Sequence, residues 1–227
     1  MKKLILCLIL PLLAQCEAVS QNQETRNLDS FNKVSISEAI EVILKHGNKE
    51  EAIVEARNSV LDRVVTEISG ATLYIKMRNG RYNSGPVKVY LTYKNLEALN
   101  VNSAAEVRCD GVLSNDQFSI DVNSAAQADL ELNVNKLEVD VNSAGKLELS
   151  GSCNFVEVDV DSAGKLYAFD LKSENAEVSV DSGGKAEIFV TKELLGHADS
   201  GGGLYYKGEP DRIKVDSDSG GRVRKAD

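Results

Sequence analysis

From about residue 95 to the end of the chain, apolar and polar residues alternate, and the alternation breaks at even intervals. Each break is an Asn or Asp, then a Ser, then two small residues, as in Leu137-Glu138-Val139-Asp140-Val141-Asn142-Ser143-Ala144-Gly145-Lys146-Leu147-Glu148-Leu149. A period of two marks a strand with one buried face, and the break reads as a tight corner between two such strands. Aligning the chain on the serine gives seven copies, at Ser103, Ser124, Ser143, Ser162, Ser182, Ser200 and Ser219, spaced 21, 19, 19, 20, 18 and 19 residues apart. Each unit therefore reads strand, corner, strand, variable return. No copy sustains helical periodicity, which excludes leucine-rich and α-helical repeats.

A unit this short cannot bury its own apolar face, so neighbouring copies must stack and pair in parallel. Stacking predicts one buried ladder through Val101, Val122, Val141, Val160 and Val180, and a second through Val107, Ala128, Leu147, Leu166, Ala186, Leu204 and Val223. Burial of these ladders, at about 25 cal/mol per Å² of apolar area, is the main favourable term. The small residues fit a corner with no room for branching, with Gly at the second small position available for a positive φ. The serines are expected to form a structural ladder along this corner, each hydroxyl donating to one neighbouring coil and accepting from the other, with Asn or Asp oxygens serving unpaired turn groups.

The expected fold is all-β, a parallel β-helix or β-solenoid of about seven 19-residue coils over residues 95–227. Residues 28–94 read as irregular β-rich opening coils that cap it against edge-to-edge aggregation. Strands are predicted at 33–37, 39–44, 52–56, 64–68, 71–77 and 87–93, with Ser69-Gly70 as a hairpin turn and Ser37-Glu38-Ala39 echoing the corner motif. A separate small β-domain is the alternative for this region. Residues 21–27 read as a short linker.

Residues 1–20 change the picture of where the chain works. Lys2 and Lys3, the apolar run Leu4 to Ala14 and the small residues Ala18-Val19-Ser20 form an export signal cleaved after Ser20. The apolar run is too short to span a membrane, and no transmembrane segment is expected downstream. Leu13-Ala14-Gln15-Cys16 also resembles a lipoprotein box, which leaves a lipid anchor at Cys16 open, although Gln15 is not the small residue such boxes prefer. The product is expected in the periplasm, on the outer-membrane surface or outside the cell.

Cleavage moves the formal charge from −9 to −10, which opposes nucleic-acid phosphates and anionic lipid. Cys109 and Cys153 remain, about two coils apart. At about 4.8 Å per coil the axial step alone exceeds disulfide reach, so two free thiols are expected.

No catalytic, cofactor or metal site is predicted. The Asp-Ser-Gly-Gly string of serine proteases occurs three times at the repeat period, whereas a nucleophile needs one Ser held by one base. Calcium-binding β-rolls repeat every nine residues, and the column Asp161, Asp181, Asp199, Asp218 offers at most an adventitious cation place. Lys146, Lys165 and Lys185 stack just beyond the corner, near Arg222, and read as neutralising neighbouring acids or as gripping acidic sugars. Tyr167 and Tyr205 share an outward offset interrupted by Glu187, with Tyr206 beside them, and are candidate sugar-stacking residues.

Several segments together resemble one known family. They are the export signal, Phe31-Asn32-Lys33-Val34-Ser35-Ile36, Leu73-Tyr74-Ile75-Lys76, Leu96-Glu97-Ala98-Leu99-Asn100-Val101 and the Ser-small-small coils. The family is the head GIN domain family of auto-transporter adhesins, common in Bacteroides-like bacteria, and the resemblance covers residues 28–227. It implies a β-helix-like fold, secretion or surface display and an adhesin role, with no catalytic residues to carry over. No C-terminal membrane barrel of the kind true auto-transporters use is expected. The function expected is that of a secreted or cell-surface non-catalytic adhesin-like binding or scaffold protein that contacts surface glycans or partner proteins. A polysaccharide lyase or glycosidase on the same scaffold is the alternative.

Overall fold

The computed structural model describes residues 22–78 and 85–227, so the export signal and Cys16 lie outside the described residues. Sixteen strands join one continuous sheet that winds into a solenoid. In chain order they are β1 (Asn22–Asn27), β2 (Lys33–Ile36), β3 (Ile40–His46), β4 (Glu51–Ala56), a single helical turn α1 (Asn58–Leu61), β5 (Val64–Ser69), β6 (Thr72–Met77), β7 (Val87–Tyr93) and β8 (Ala98–Val101). There follow β9 (Glu106–Val122), β10 (Gln127–Val141), β11 (Lys146–Val160), β12 (Lys165–Val180), β13 (Lys185–Ala198), β14 (Gly203–Lys207), β15 (Arg212–Ser217) and β16 (Arg222–Lys225).

Both apolar ladders form in the expected register. Val101, Val122, Val141, Val160 and Val180 are paired from coil to coil and fully buried, and the column continues into Ile36 and Ile75 on one side and Ala198 on the other. The second ladder runs from Val107 to Val223 and extends through Val42, Val89 and Val54. The variable return is itself strand. β9 to β13 each run from one corner to the next, bending midway where the register shifts, as between Glu148 and Ser150 beside Gly151.

Each corner is a type I′ turn. Ser143 and Ala144 have φ of 50° and 61°, and the Gly145 N–H donates to the Asn142 carbonyl at 2.8 Å, a geometry repeated at all seven serines. The positive φ therefore falls on the serine and the first small residue. At the second small position glycine answers a lack of room: a Cβ on Gly164 would lie 2.1 Å from the Val141 carbonyl oxygen of the preceding coil, whereas one on Gly183 would meet open space. The expected hydroxyl ladder takes a different form. The serines are exposed, and the coils are tied through backbone, with the Ala125 N–H donating to the Ser143 carbonyl at 3.0 Å and the Ala144 N–H to that of Ser162 at 3.0 Å.

A side-chain ladder does exist, but at the far bend of the coil. Asn115 donates to Asn95 at 3.1 Å, Asn135 to Asp116 at 2.5 Å, Asn154 to Asn135 at 2.9 Å and Asn175 to the Asn154 carbonyl at 3.3 Å. Stacked amides satisfy one another in this way whenever successive coils present them in register.

The opening third belongs to the same sheet and the same core as the coils. Its order is permuted, because the coil β2–β3 lies between β6–β7 on one side and β8–β9 on the other. Glu38, not Ser37, takes the serine's place in its corner, with φ of 73° and 55° at Glu38 and Ala39. The turn at Ser69-Gly70 closes the antiparallel pair β5–β6. Residues 22–27, read from sequence as a linker, form β1 and pair antiparallel with β4. The polar run Asn22-Gln23-Glu24-Thr25-Arg26-Asn27 concealed a strand because an outer edge strand needs no buried face. Arg26 anchors it by donating to the carbonyls of Val64 at 2.6 Å and Leu61 at 3.0 Å. Cys109 and Cys153 are free thiols, and burial pushes the Cys153 thiol up to about 12.

These packing details separate three kinds of substitution in chemical denaturation. Gly164→Ala is expected to lower stability by about 1–3 kcal/mol through overpacking, and Gly183→Ala by about 1–2 kcal/mol through its positive φ alone. Ser143→Val should lose about 1–2 kcal/mol to backbone strain at positive φ, and Ser219→Val somewhat more, because its hydroxyl also bonds Asp199 of the preceding coil. Wild-type stability of Gly164→Ala would contradict the crowding argument. Asn135→Ala, which breaks the amide ladder, should lose about 1 kcal/mol.

Candidate functional site

The strands after each corner build one outer face. Its first column runs Gln127, Lys146, Lys165, Lys185, Gly203 and Arg222, and its second Asp129, Glu148, Tyr167, Glu187, Tyr205 and Arg224. Lysines and tyrosines singled out from sequence meet here. The Lys185 ammonium lies 5.1 Å from the Tyr167 ring centre and 5.6 Å from that of Tyr205, and Lys146 lies 5.6 Å from Tyr167. Lys146 also pairs with Glu148 and Lys185 with Glu187, each at 2.5 Å, and these hydrogen bonds raise both ammonium pKa values. Lys165 sits in register between them, exposed and without an ion pair of its own among the described residues. The lysines over the tyrosine rings compete with a stacking sugar for the same surface. Tyr206, by contrast, turns toward the core, in line with Ile188, and is not part of this face.

The strands before each corner build the opposite face, and it is acidic. One outward column runs Asn100, Asp121, Asp140, Asp159, Ser179, His197 and Asp216; the next runs Ser119, Glu138, Glu157, Glu177, Leu195 and Lys214. A shallow depression of about 410 Å³ crosses it, lined by Glu157, Asp159, Glu177, His197 and Lys214 among others. Another of about 420 Å³ lies toward the opening coils, between Lys33, Asp116, Lys136 and Glu138. This face escaped the sequence reading, although its signal was there: an acid recurs at the second and fourth residues before successive corners, as at Glu138 and Asp140.

Along the corner edge, the Asp residues hold the turn. The Ser162 and Ser200 N–H groups donate to Asp161 and Asp199 at 2.5 Å. Hydroxyl bonds from the next coil, Ser182 to Asp161 and Ser219 to Asp199, come first among the causes that hold both carboxyls below the ordinary aspartate value. At these two corners a serine hydroxyl bridges coils. Asn123 instead turns back to donate to Asp121 at 2.9 Å.

Burial raises the Asp140 and Asp159 carboxyls, and neighbouring acids add to it, Asp121 and Asp159 around Asp140 and Asp181 and Asp161 around Asp159. A carboxyl raised in the folded state binds its proton more tightly there than in the unfolded chain. Stability from this pair therefore increases as pH falls from the raised values to the ordinary 3.8. Asp161 and Asp199 act oppositely: their contribution is present above 3.8 and lost as pH falls below it through the depressed values. Asp140→Asn should raise stability at pH 7 by about 1 kcal/mol or less, since solvent screens the repulsion, and should flatten the gain on acidification toward pH 4. Unfolding curves across that range check both.

No curated protein matches the chain. Solved structures do, with low identity and near-complete coverage. A "putative adhesin" from Bacteroides fragilis is 17% identical, with 91% of this chain and 97% of that one covered at a TM-score of 0.83. A "putative adhesin" from Parabacteroides merdae is 17% identical, with coverage of 91% and 96% and a TM-score of 0.74. A "putative lipid binding protein" from Parabacteroides distasonis is 19% identical, with coverage of 91% and 97% and a TM-score of 0.73. At such identities these likenesses speak for the fold. The family described as "putative auto-transporter adhesin, head GIN domain" matches over residues 30–210, and with the solenoid, its corners and its capped opening in place, the chain belongs to that family.

Proposed function

We propose that this chain is exported, displayed at the cell surface or released, and serves as a non-catalytic adhesin-like binding and scaffold protein for surface glycans or partner proteins. The observation that carries this reading is the flatness and repetition of the two outer faces. Side chains of one kind recur about every 4.8 Å along a rigid axis, as in Lys146, Lys165 and Lys185 or Glu138, Glu157 and Glu177. Such a surface supports many weak, equivalent contacts spread over an extended ligand, and avidity then supplies affinity that no single contact has. Lys165, exposed between the paired Lys146 and Lys185, is the part of the basic face open to an acidic glycan. The acidic face suits a cationic partner. The family and the fold of its members support the adhesin-like role.

One observation favours a glycoside-cleaving alternative, because raised carboxyls beside a depression are a hallmark of acid catalysts. Against it, Asp140 and Asp159 are raised as members of a column that repeats coil after coil on an open sheet, rather than as a unique pair held in a cleft. An array of acidic and neutral glycans, with parallel incubation in solution, separates the two readings. Retention without new reducing ends or unsaturated products is the expected result, weakened at least threefold by Lys165→Glu for acidic glycans. Turnover of any polysaccharide overturns the non-catalytic reading.

A further inference from the structure

We infer that Asp181, His197 and Asp199 form a site for a divalent transition-metal ion, with zinc as the best match. One donor atom from each residue lies within 4.8 Å of the others. That separation is close to the spacing of adjacent coils, and it arises because Asp181 and Asp199 are the corner residues of successive coils while His197 occupies the outward position two before Asp199. All three stand at strand ends whose backbone is fixed by the inter-coil ladder, with the Asp199 N–H donating to the Val180 carbonyl at 3.0 Å. The site is therefore assembled by the fold before any ion arrives.

The surroundings of the histidine separate this cluster from the rest of the acidic column. His197 Nδ1 lies 3.1 Å from Asp216 Oδ2 on the next coil. A carboxylate on one ring nitrogen fixes the ring and its tautomer and leaves the other nitrogen as a donor, the arrangement that supports zinc-binding histidines. Neither Asp181 nor Asp199 has a lysine or arginine partner among the described residues; their bonds are from Ser179, Ser200 and Ser219. Two carboxylates held this close without a cation repel one another, and a divalent ion between them removes that repulsion. The equivalent outward positions elsewhere hold Asp121, Asp140, Asp159 and Ser179, so the nitrogen donor occurs at one place along the stack.

One imidazole and two carboxylates suit zinc, and to a lesser degree manganese or nickel; calcium prefers six to eight oxygens. Three protein donors leave at least one position facing solvent, where water or an anionic group of a second molecule can bind. From sequence the Asp column offered only an adventitious place for a cation, because the histidine joins it through register rather than through a motif. The inference stands independently of the adhesin reading.

The test uses the untagged, chelator-treated mature chain titrated with zinc chloride, calcium chloride and magnesium chloride, read by calorimetry and thermal unfolding. Zinc is expected to bind one-to-one and raise the melting temperature by several degrees, with calcium and magnesium at least tenfold weaker. His197→Ala and Asp199→Asn should each weaken zinc at least tenfold, while Asp161→Asn, one corner outside the cluster, should leave it unchanged. A wild-type readout guards against misfolded variants and against zinc taken up by the thiols. The chain has two histidines, so zinc should shift the imidazole nitrogen resonances of His197 and leave those of His46 in place. No saturable zinc binding, equal response to calcium, or zinc binding that leaves the His197 resonances unmoved overturns the proposal.

Discussion

The backbone hydrogen-bond ladder between coils does not stop at the corner. In most sheets a turn is where pairing ends; here, in five successive corners from Ala104 to Gly183, the N–H after the serine reaches the serine carbonyl of the next coil. Successive corners are therefore held at the same spacing as successive strands, and every position of the repeat becomes a column. The two positive φ values that let the turn fit this spacing also fix where a side chain is tolerated. One small position points into open space and the other against a carbonyl, which is why the first accepts alanine in four corners and glycine in three, while glycine holds the second from Gly145 onward.

Because stacking is in register, each chemical choice is repeated and its effects accumulate in columns. Aliphatic side chains become continuous buried ladders, and amides become a chain of mutual hydrogen bonds at the far bend. Lysines alternate with tyrosine and glutamate so that charge is met by charge or by a ring face. Carboxylates lack such partners, and at Asp140 and Asp159 burial, reinforced by the neighbouring acids of the column, raises the carboxyls. A surface of this kind is marked by its rows rather than by any pocket.

The sequence spoke clearly where the repeat is local. The seven corners, both buried ladders and the opening strands were legible because period-two alternation and the Asn/Asp-Ser-small-small signature are contiguous in the chain. What escaped depends on register between coils. The side-chain ladder joins Asp116, Asn135 and Asn154, which lie in the irregular return where the alignment gives no anchor. His197 meets Asp181 only once coil heights are known. β1 was hidden by its polarity, since an edge strand on the outside of a cap has no apolar face to display, and Glu38 in the corner hid the first coil's membership of the same series.

The permuted opening carries a consequence for how the molecule can grow and shrink. From β10 onward each coil pairs only with its immediate predecessor and successor in the chain, so a nineteen-residue segment added or removed there leaves every other pairing intact. At the opening, β8 must find β2 across more than sixty residues, with β4 to β7 already folded back on the other side of β2 and β3. That closure admits no whole-unit insertion. Length variation among chains of this architecture is thereby directed to the C-terminal stack, while the opening acts as a fixed origin from which the coils are counted.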